Sequence, residues 1–414
     1  MTFHVFPPLT IPDTLAAGPG PGNTDPRVLA QFAAAGVADH MQGDVLRGMV
    51  ECKHMLRDVW GTKNIHTFGV AGTGWSALDA MFSAVLPGDT VVAFANGTFS
   101  GIDALTLRIK ASTRAELALN PMDPQPASVK VVDVPHGTSV DADTIDAALA
   151  EHKPKWAFMA HWETGSGRVN DLQGFSDACA RHGVMGLVDA VSSLGVDDFS
   201  IDAYPGVVGW ASCPQKGICC LPLTYAPVSF TDAYIKTLRE NGAYTYAQHP
   251  IFEARHWGIV DGQDVEKGTY HRTHSGYAVA AFHEALRLTL QETLTARAKN
   301  YRHHEAVLRA CVQAMGCEVT SDMSSLVVLN LPGNLAGREM ELVQNCRAAG
   351  FGIWPTLSAP VQVRIGILNQ LEIDAIRKIV LLFADAIRAL GGTVDQSKID
   401  EILVSSYGTS IAAE

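Results

Sequence analysis

Two charged side chains lie inside apolar segments of this sequence, and their types make them candidates for chemistry. Lys216 stands between the runs GWASCP and ICCLPL, and Asp189 closes the run GLVD. Burial lowers the pKa of a lysine, which makes its amine a usable nucleophile and base. A buried aspartate needs a compensating partner, and a protonated heterocyclic nitrogen is one such partner. The structural alternatives are a solvated lysine near a turn and an aspartate that caps a loop at a strand end.

A third feature is the glycine-rich segment Gly69–Gly74 (GVAGTG), which follows a predicted strand and precedes a predicted helix from Ser76. Glycines let backbone N–H groups approach a phosphate, and a helix N-terminus favours an anion. A tight strand–helix turn is the structural alternative. The segment lacks the Lys-Ser/Thr of a P-loop, so we do not expect a nucleoside triphosphate site. Its position, well after the first residues, also disfavours a dinucleotide site.

These three features together predict a site for pyridoxal phosphate. In such a site a lysine amine bonds to the cofactor's aldehyde, an aspartate keeps the pyridine nitrogen protonated, and a helix start binds the phosphate. A protonated ring is the better electron sink for a carbanion at the substrate Cα. Lys216, Asp189 and the segment ending at Gly74 would fill these three positions.

The elements that must position these residues alternate between strand and helix. Short apolar runs predict strands buried on both faces, at Thr67–Ala71, Val91–Ala95, Val129–Val134, Trp156–Trp162, Gly186–Val191 and Val207–Cys213. Helical patterns between them cover Ser76–Leu86, Ala142–Glu151 and Leu172–His182. This alternation predicts an α/β fold with a mainly parallel sheet and right-handed crossovers.

The pattern changes from about residue 285. Long helical patterns at Arg297–Met315, Glu339–Ala349 and Leu371–Leu390 flank short strands at Ser325–Leu329 and Val361–Ile367. They predict a smaller α+β domain. We therefore divide the chain into an extended N-terminal arm (residues 1–25), a large cofactor-binding domain (26–285) and a small C-terminal domain (286–414).

The composition excludes several classes of protein. The chain has 414 residues, 47% of them hydrophobic and 18% charged, which indicates a globular protein. Its net charge of −12 argues against nucleic acid or an anionic membrane as a partner. Eight cysteines without C-x-x-C spacing predict free thiols in a reducing compartment and no metal site. Because no signal peptide or long apolar stretch is evident, we expect a cytoplasmic protein.

An ordered set of motifs resembles the class V aminotransferases of fold type I, closest to the alanine/serine–glyoxylate group, over nearly the whole chain. The motifs are Gly18–Asn23 (GPGPGN), Gly72–Trp75 (GTGW), Pro87–Asp89, Asn96–Gly97, His161–Gly167 (HWETGSG), Val188–Ser193 (VDAVSS) and Gln215–Gly217 (QKG). Each is weak alone, whereas the set in order is specific. The resemblance implies a large domain with a mainly parallel, seven-stranded type of sheet between helices, and a smaller C-terminal α+β domain.

The resemblance also implies which residues hold the cofactor. Phe99 takes the place of the aromatic ring that stacks on the pyridine, where the family often has Trp. Thr164 would hydrogen-bond near the ring oxygen, and Gln215 would contact the phosphate. The matching phosphate loop contains Thr73, Gly74 and Trp75. Trp75 would be an edge of the cofactor site or its entrance wall, with simple core packing as the alternative.

Other implied roles reach the substrate and a second subunit. Tyr270 and Thr273 match residues that contact the phosphate in the partner subunit, which implies a homodimer with shared active sites. Arg272 between them is either an additional anion contact or a surface salt-bridge residue. Arg364, on a late predicted strand, matches the residue that binds the substrate α-carboxylate, and Gly20 is predicted to line the same substrate site.

The implied reaction is a pyridoxal phosphate-dependent transamination of the EC 2.6.1 type. By a ping-pong mechanism, a small amino acid (alanine, serine or aspartate) would give its amino group to glyoxylate or pyruvate. Lys216 would be the base, and Asp189 would stabilise the charge that develops on the ring. One alternative is a class V enzyme for another amine, such as an aminophosphonate or pyridoxamine. Another is a pyridoxal phosphate-dependent lyase, disfavoured because Gln215 stands where such relatives usually have His. A cofactor-bound regulator is also disfavoured, because no basic DNA-binding domain is apparent.

Overall fold

The computed structural model describes residues 7–10, 14–33, 39–112, 128–242, 245–369 and 372–408. Parts of the predicted arm (residues 1–6 and 11–13) and Leu371, the predicted first residue of the last long helix pattern, lie outside these ranges. The helices are α1 (Pro26–Phe32), α2 (Gly43–Trp60), α3 (Gly74–Phe82), α4 (Thr98–Ala111), α5 (Ala142–His152), α6 (Leu172–His182), α7 (Asp232–Asn241), α8 (Pro250–His256), α9 (Gly276–Glu292), α10 (Leu294–Ala314), α11 (Glu339–Ala348), α12 (Ile373–Ala389) and α13 (Gln396–Tyr407).

The strands are mostly short. They are β1 (Leu15–Ala16), β2 (Thr67–Ala71), β3 (Val91–Ala95), β4 (Val129–Asp133), β5 (Trp156–Ala160), β6 (Trp162–Glu163), β7 (Arg168–Val169), β8 (Met185–Asp189), β9 (Val207–Ala211), β10 (Tyr225–Phe230), β11 (Ile259–Val260), β12 (Gln263–Asp264), β13 (Glu318–Val319), β14 (Leu326–Asn330), β15 (Phe351–Gly352), β16 (Trp354–Pro355) and β17 (Val363–Gly366). Two short 3₁₀ turns, at Ile201–Ala203 and Gly333–Leu335, complete the described elements.

A seven-stranded sheet with the order β2-β10-β9-β8-β5-β3-β4 forms the centre of the larger part of the molecule. The pairs from β9 through β8, β5 and β3 to β4 are parallel, whereas β10 is antiparallel to both of its neighbours. Strands β3, β5 and β9 are buried along their whole length, as expected of a sheet covered on both faces. The prediction of an α/β fold with a mainly parallel seven-stranded sheet is therefore confirmed.

Local signals in the sequence explain the helix ends that frame this sheet. Helix α6 begins after Asp171, whose carboxylate accepts a hydrogen bond from the Gly174 amide, and it ends at Gly183 in the left-handed conformation (φ +67°). Helix α3 differs from its predicted span, because it begins at Gly74 and ends at Phe82. The helical conformation is disfavoured before Pro87, so turns occupy the residues between.

A four-stranded antiparallel sheet, in the order β13-β14-β17-β16, organises the C-terminal part. A second hydrophobic core packs around it and includes residues of α10, α11, α12 and α13. Strand β1 of the N-terminal segment pairs in parallel with β15, so this segment packs on the C-terminal part. Helix α9 runs across the predicted boundary at residue 285, and the division into domains stays a prediction.

Two further observations concern chemistry away from the sheet. All eight cysteines are free and buried, in agreement with the sequence. Among the helices within the described ranges, none combines the length and the apolar character that crossing a bilayer requires.

Candidate active site

The carboxyl ends of β8 and β9 place the two charged residues that the sequence singles out. Asp189 is the last residue of β8, and Lys216 lies in the turns that follow β9. Because these strands are parallel neighbours, their carboxyl ends meet at one edge of the sheet. Both side chains line one cavity of about 200 Å³.

Lys216 is held by two hydroxyl groups. Its Nζ donates hydrogen bonds to Thr164 Oγ1 and to Ser192 Oγ, both at 2.8 Å. The two hydroxyls also contact each other. The Nζ atom lies 5.6 Å from the centre of the Phe99 ring. Burial lowers the pKa of Lys216, with the positive charge of Arg364 acting in the same direction, so that a neutral amine becomes more accessible.

Asp189 is 6% exposed and accepts a hydrogen bond from the Val191 amide at 2.6 Å. Burial raises the pKa of Asp189 to about 7, against the lowering effects of that amide and of the Lys216 charge. No basic side chain in the described ranges forms an ion pair with Asp189. A cation entering the cavity would therefore stabilise its carboxylate strongly.

The start of α3 lines the same cavity. Gly74 is the first residue of this helix, and the side chain of Thr73, its N-cap, makes no capping hydrogen bond. A Cβ atom at Gly74 would lie 2.9 Å from Val191 Cγ2 and 3.2 Å from the Cys213 Cβ, so only glycine fits without a shift. The first amides of a helix lack intrahelical acceptors and attract anions. Gln215 also lines the cavity, and its Oε1 is buried without a hydrogen-bond partner.

The N-terminal segment covers the lysine. Gly20, with φ +129°, lies so close that a Cβ atom there would be 3.3 Å from both Cε and Cγ of Lys216. The Gly22 amide donates to the Gln215 carbonyl at 3.0 Å, which fixes this approach. Trp75 lines the cavity and is 41% exposed, which argues against simple core packing. Its role at the entrance stays a prediction.

Arg364 lies beside the cavity, although it is not part of the described wall. It is 2% exposed, and its guanidinium donates to the Pro355 carbonyl from Nε (3.1 Å) and Nη2 (2.8 Å), and to the Thr164 carbonyl from Nη1 (3.2 Å). No ion pair with an acidic residue is present for it in the described part of the chain. Burial lowers the pKa of Arg364 to about 10, against the raising effect of the Glu163 charge.

Tyr270 and Thr273 do not reach this cavity. Tyr270 is 60% exposed, and its hydroxyl contacts Thr273 Oγ1 at 3.1 Å. Their predicted contact with a partner subunit stays a prediction. Arg272 between them pairs with the fully buried Glu253, from Nε to Oε1 at 2.6 Å and from Nη2 to Oε2 at 3.1 Å. Of the two roles left open for Arg272, the structure therefore shows the salt bridge, partly buried rather than on the surface.

Three contributions to the site were not predicted. Ser192 binds the Lys216 amine, and its position three residues after Asp189 was a signal that could have indicated it. Glu163 accepts from the amides of Phe99, Ser100 and Gly165, which ties the start of α4 to the loop after β6. Asp103, on α4, lines the cavity beside Asp189 and had no signal in its sequence context.

The cavity suits pyridoxal phosphate on the grounds of its own residues. Among the described residues it combines a buried carboxyl group without an ion-pair partner, an amine of lowered pKa and a helix start where no Cβ fits. These groups match, in turn, the protonated ring nitrogen, the aldehyde and the phosphate end of that cofactor.

The chain is similar in sequence and in structure to known aminotransferases. No protein-family model matches the chain. The (S)-ureidoglycine–glyoxylate transaminase of Bacillus subtilis (strain 168) is 29% identical over 353 residues, which cover 81% of this chain and 80% of that protein. The alanine–glyoxylate aminotransferase of Oryctolagus cuniculus is 29% identical over 303 residues, 72% of this chain and 71% of its own length. The crystal structure of the ureidoglycine–glyoxylate aminotransferase from Bacillus subtilis has the same fold, with a TM-score of 0.85 at 22% identity, and covers 97% of this chain and 100% of that one.

Proposed function

We propose that this chain, a homologue of the glyoxylate aminotransferases with the class V, fold type I architecture, transfers an amino group from a small α-amino acid to glyoxylate or pyruvate. The observation that carries the proposal is the pairing of a Lys216 amine of lowered pKa with the buried Asp189 carboxyl group in one cavity. Alanine, serine and aspartate are the amino donors proposed.

Pyridoxal phosphate, when bound, supplies an aldehyde that captures amines and a ring that delocalises the electron pair left when a Cα proton departs. With the cofactor bound, Lys216 would hold its aldehyde, and the Nζ atom that an amino donor frees would take up the proton that leaves the substrate Cα. Thr164 and Ser192 orient Nζ through their 2.8 Å hydrogen bonds. Asp189 would keep the ring nitrogen protonated, since its carboxylate forms no ion pair with a basic side chain in the described part of the chain.

The remaining residues hold the cofactor and the substrate. The first amides of α3, at Gly74, bind the phosphate together with Gln215. Phe99, Gly20 and Trp75 line the cavity. Phe99 would lie against the cofactor ring, and Gly20 and Trp75 would limit the access of water. Arg364 binds the substrate α-carboxylate, supported by the absence of an acidic partner for it among the described residues. That assignment favours α-amino acids over aminophosphonates or pyridoxamine.

The proposal includes the assembly and the compartment. We propose a homodimer in which Tyr270 and Thr273 of each chain complete the other chain's phosphate site, supported by the exposure of Tyr270. Eight buried free thiols support a reducing, cytoplasmic compartment.

A panel of half-reactions tests the proposed reaction. Amino acids are added one at a time to the aldehyde form of the enzyme, and conversion to pyridoxamine phosphate is quantified by chromatography. We expect alanine, serine or aspartate to convert the cofactor, and glyoxylate or pyruvate to restore it. A matched amine without the carboxylate, such as ethylamine beside alanine, should react poorly. Equal rates for the two would contradict the role of Arg364 and favour an enzyme for another amine.

A further inference from the structure

Asp103 is an acid that the reaction described above does not use. It lies on α4 four residues after Phe99, so the two side chains share one face of the helix. Both line the cavity around Lys216, and Asp103 is 1% exposed. Its neighbour Ile102 is 38% exposed, which shows that Asp103 belongs to the inner face of α4.

The carboxyl group of Asp103 has no hydrogen-bond partner among the residues that the structure describes. Its Oδ1 and Oδ2 atoms are both buried and unpaired. By contrast, Asp189 has the Val191 amide, and Glu163 has three amides. A buried polar group without a partner is costly, and most such groups in proteins are satisfied. Asp103 therefore points to an interaction that forms when the cavity is filled.

The charges that face Asp103 decide which protonation state it takes. Burial raises the pKa of Asp103 well above its ordinary value, and the charges of Asp189 and Glu163 raise it further. Glu163 is fixed by its amides, and Asp189 is the carboxylate needed at the ring nitrogen. If Asp103 were also ionised, a second carboxylate near Asp189 would add negative charge that no cation compensates. Asp103 therefore enters the filled site as a neutral acid, with one O–H to donate.

We propose that Asp103 is a positioning residue for Asp189: its acid O–H donates to the Asp189 carboxylate, directly or through one water, when the cofactor occupies the cavity. The donation stabilises Asp189 as an anion, so the proton it faces stays on the ring nitrogen. This inference rests on the proposed binding of pyridoxal phosphate. It assigns Asp103 no contact with the reacting atoms.

The test uses holoenzyme loaded with cofactor labelled with ¹⁵N at the ring nitrogen, whose chemical shift reports protonation. Asp103→Asn keeps a neutral donor of the same shape, and Asp103→Leu removes the donor at similar volume. Thr106→Ala, on the outer part of the same helix, is the matched control. The shift is followed against pH, together with kcat and KM for one amino donor.

We expect Asp103→Asn and Thr106→Ala to keep the wild-type shift and a kcat within about twofold. Asp103→Leu should move the shift towards an unprotonated pyridine and lower kcat about tenfold, the effect of one lost hydrogen bond to a charged group, with little change in KM. A wild-type shift in Asp103→Leu would overturn the proposal. A ¹⁵N chemical shift in Asp103→Asn that differs from the wild-type value would also overturn the proposal, because a charged Asp103 would then be required. If the leucine variant does not retain cofactor, the asparagine variant decides the question. A wild-type chain that binds no cofactor at Lys216 would instead contradict the proposed function.

Discussion

The cavity around Lys216 and the segment around Tyr270 differ in the burial of their side chains and in the partners that those side chains contact. In the cavity, Asp189 is almost fully buried and the Lys216 amine already has both of its hydroxyl partners. Around Tyr270, large side chains are exposed, 60% for Tyr270 itself and 68% for Tyr246. The first region brings its charged and hydroxyl groups together within one chain, whereas Tyr270 and Thr273 lie outside the described lining of that cavity.

Because of this difference, we expect substitutions in the two regions to affect the enzyme in different ways. Changes in the cavity should remove or slow the reaction whatever the assembly, because the groups that hold and move protons belong to one chain. Changes at Tyr270 should act only through cofactor affinity in a neighbouring site. The following expectations test that separation, beginning with the variant of largest effect.

Lys216→Ala should lower turnover at least about 10³-fold, because it removes both the covalent anchor and the base. The measurement is steady-state transamination with cofactor in excess. Lys236→Ala, an exposed lysine on α7, is the matched control and should keep wild-type turnover. Substantial activity in the Lys216 variant would mean that another amine serves as the covalent anchor and the base.

Asp189→Asn should lower kcat by about 10²-fold while cofactor remains bound, because the ring nitrogen loses its counter-charge. Single-turnover rates of cofactor conversion measure the step directly. Near-normal rates in this variant would make Asp189 a structural residue at the end of β8.

Arg364→Ala should raise KM for the amino donor and for the oxo acid about tenfold or more, and leave the absorbance of the Lys216-bound cofactor intact. Arg364→Lys should recover part of the loss, since an ammonium group cannot form the two-pronged contact of a guanidinium. Unchanged KM values for both substrates in the alanine variant would refute carboxylate binding by Arg364.

Tyr270→Ala should weaken cofactor binding about tenfold, the loss of one hydrogen bond to a charged group. Co-expression with Lys216→Ala tests where Tyr270 acts. A hybrid dimer has one site with both residues intact only if Tyr270 serves the partner's cavity, and wild-type cofactor affinity should then be recovered at that site. No recovery in purified hybrids would show that Tyr270 acts within its own chain or not at all.

The smallest expected effect is on stability without cofactor. The pKa of Asp189 is raised to about 7 in the folded chain, so the folded state retains a proton that the unfolded state has lost above pH 4. Stability should therefore fall as pH rises from about 4 to 7. Asp189→Asn should melt at a temperature higher than wild type, by about 2 °C, at pH 8, and the difference should shrink towards pH 4. A difference that does not change with pH would contradict the raised pKa.

Much of the fold could be predicted because local patterns determine it. The spans predicted for β2, β3 and α6 match the structure, since each is an apolar run or a helix with clear end signals. Strand β10 was not predicted, because Pro227 within it lowers the expectation of a strand. Its antiparallel pairing between β2 and β9 depends on contacts that are distant in the sequence.

The site was predictable where a charged residue interrupts an apolar run of the sequence. Lys216 and Asp189 are charges within apolar runs, and the structure brings both to one cavity. Asp103 could not be found in this way, because an aspartate in the helical run GIDALTL looks like any surface acid. Only the tertiary arrangement shows that its side chain is buried beside Asp189.

Borohydride reduction of the holoenzyme followed by peptide mapping tests most directly whether the cavity around Lys216 is the site of covalent cofactor binding. We expect one modified lysine, Lys216, in the peptide that contains PQKGICC, and its loss when an amino donor is added before reduction. Label on another lysine, such as the buried Lys53, or label that amino donors do not remove, would contradict the assignment of this cavity as the active site.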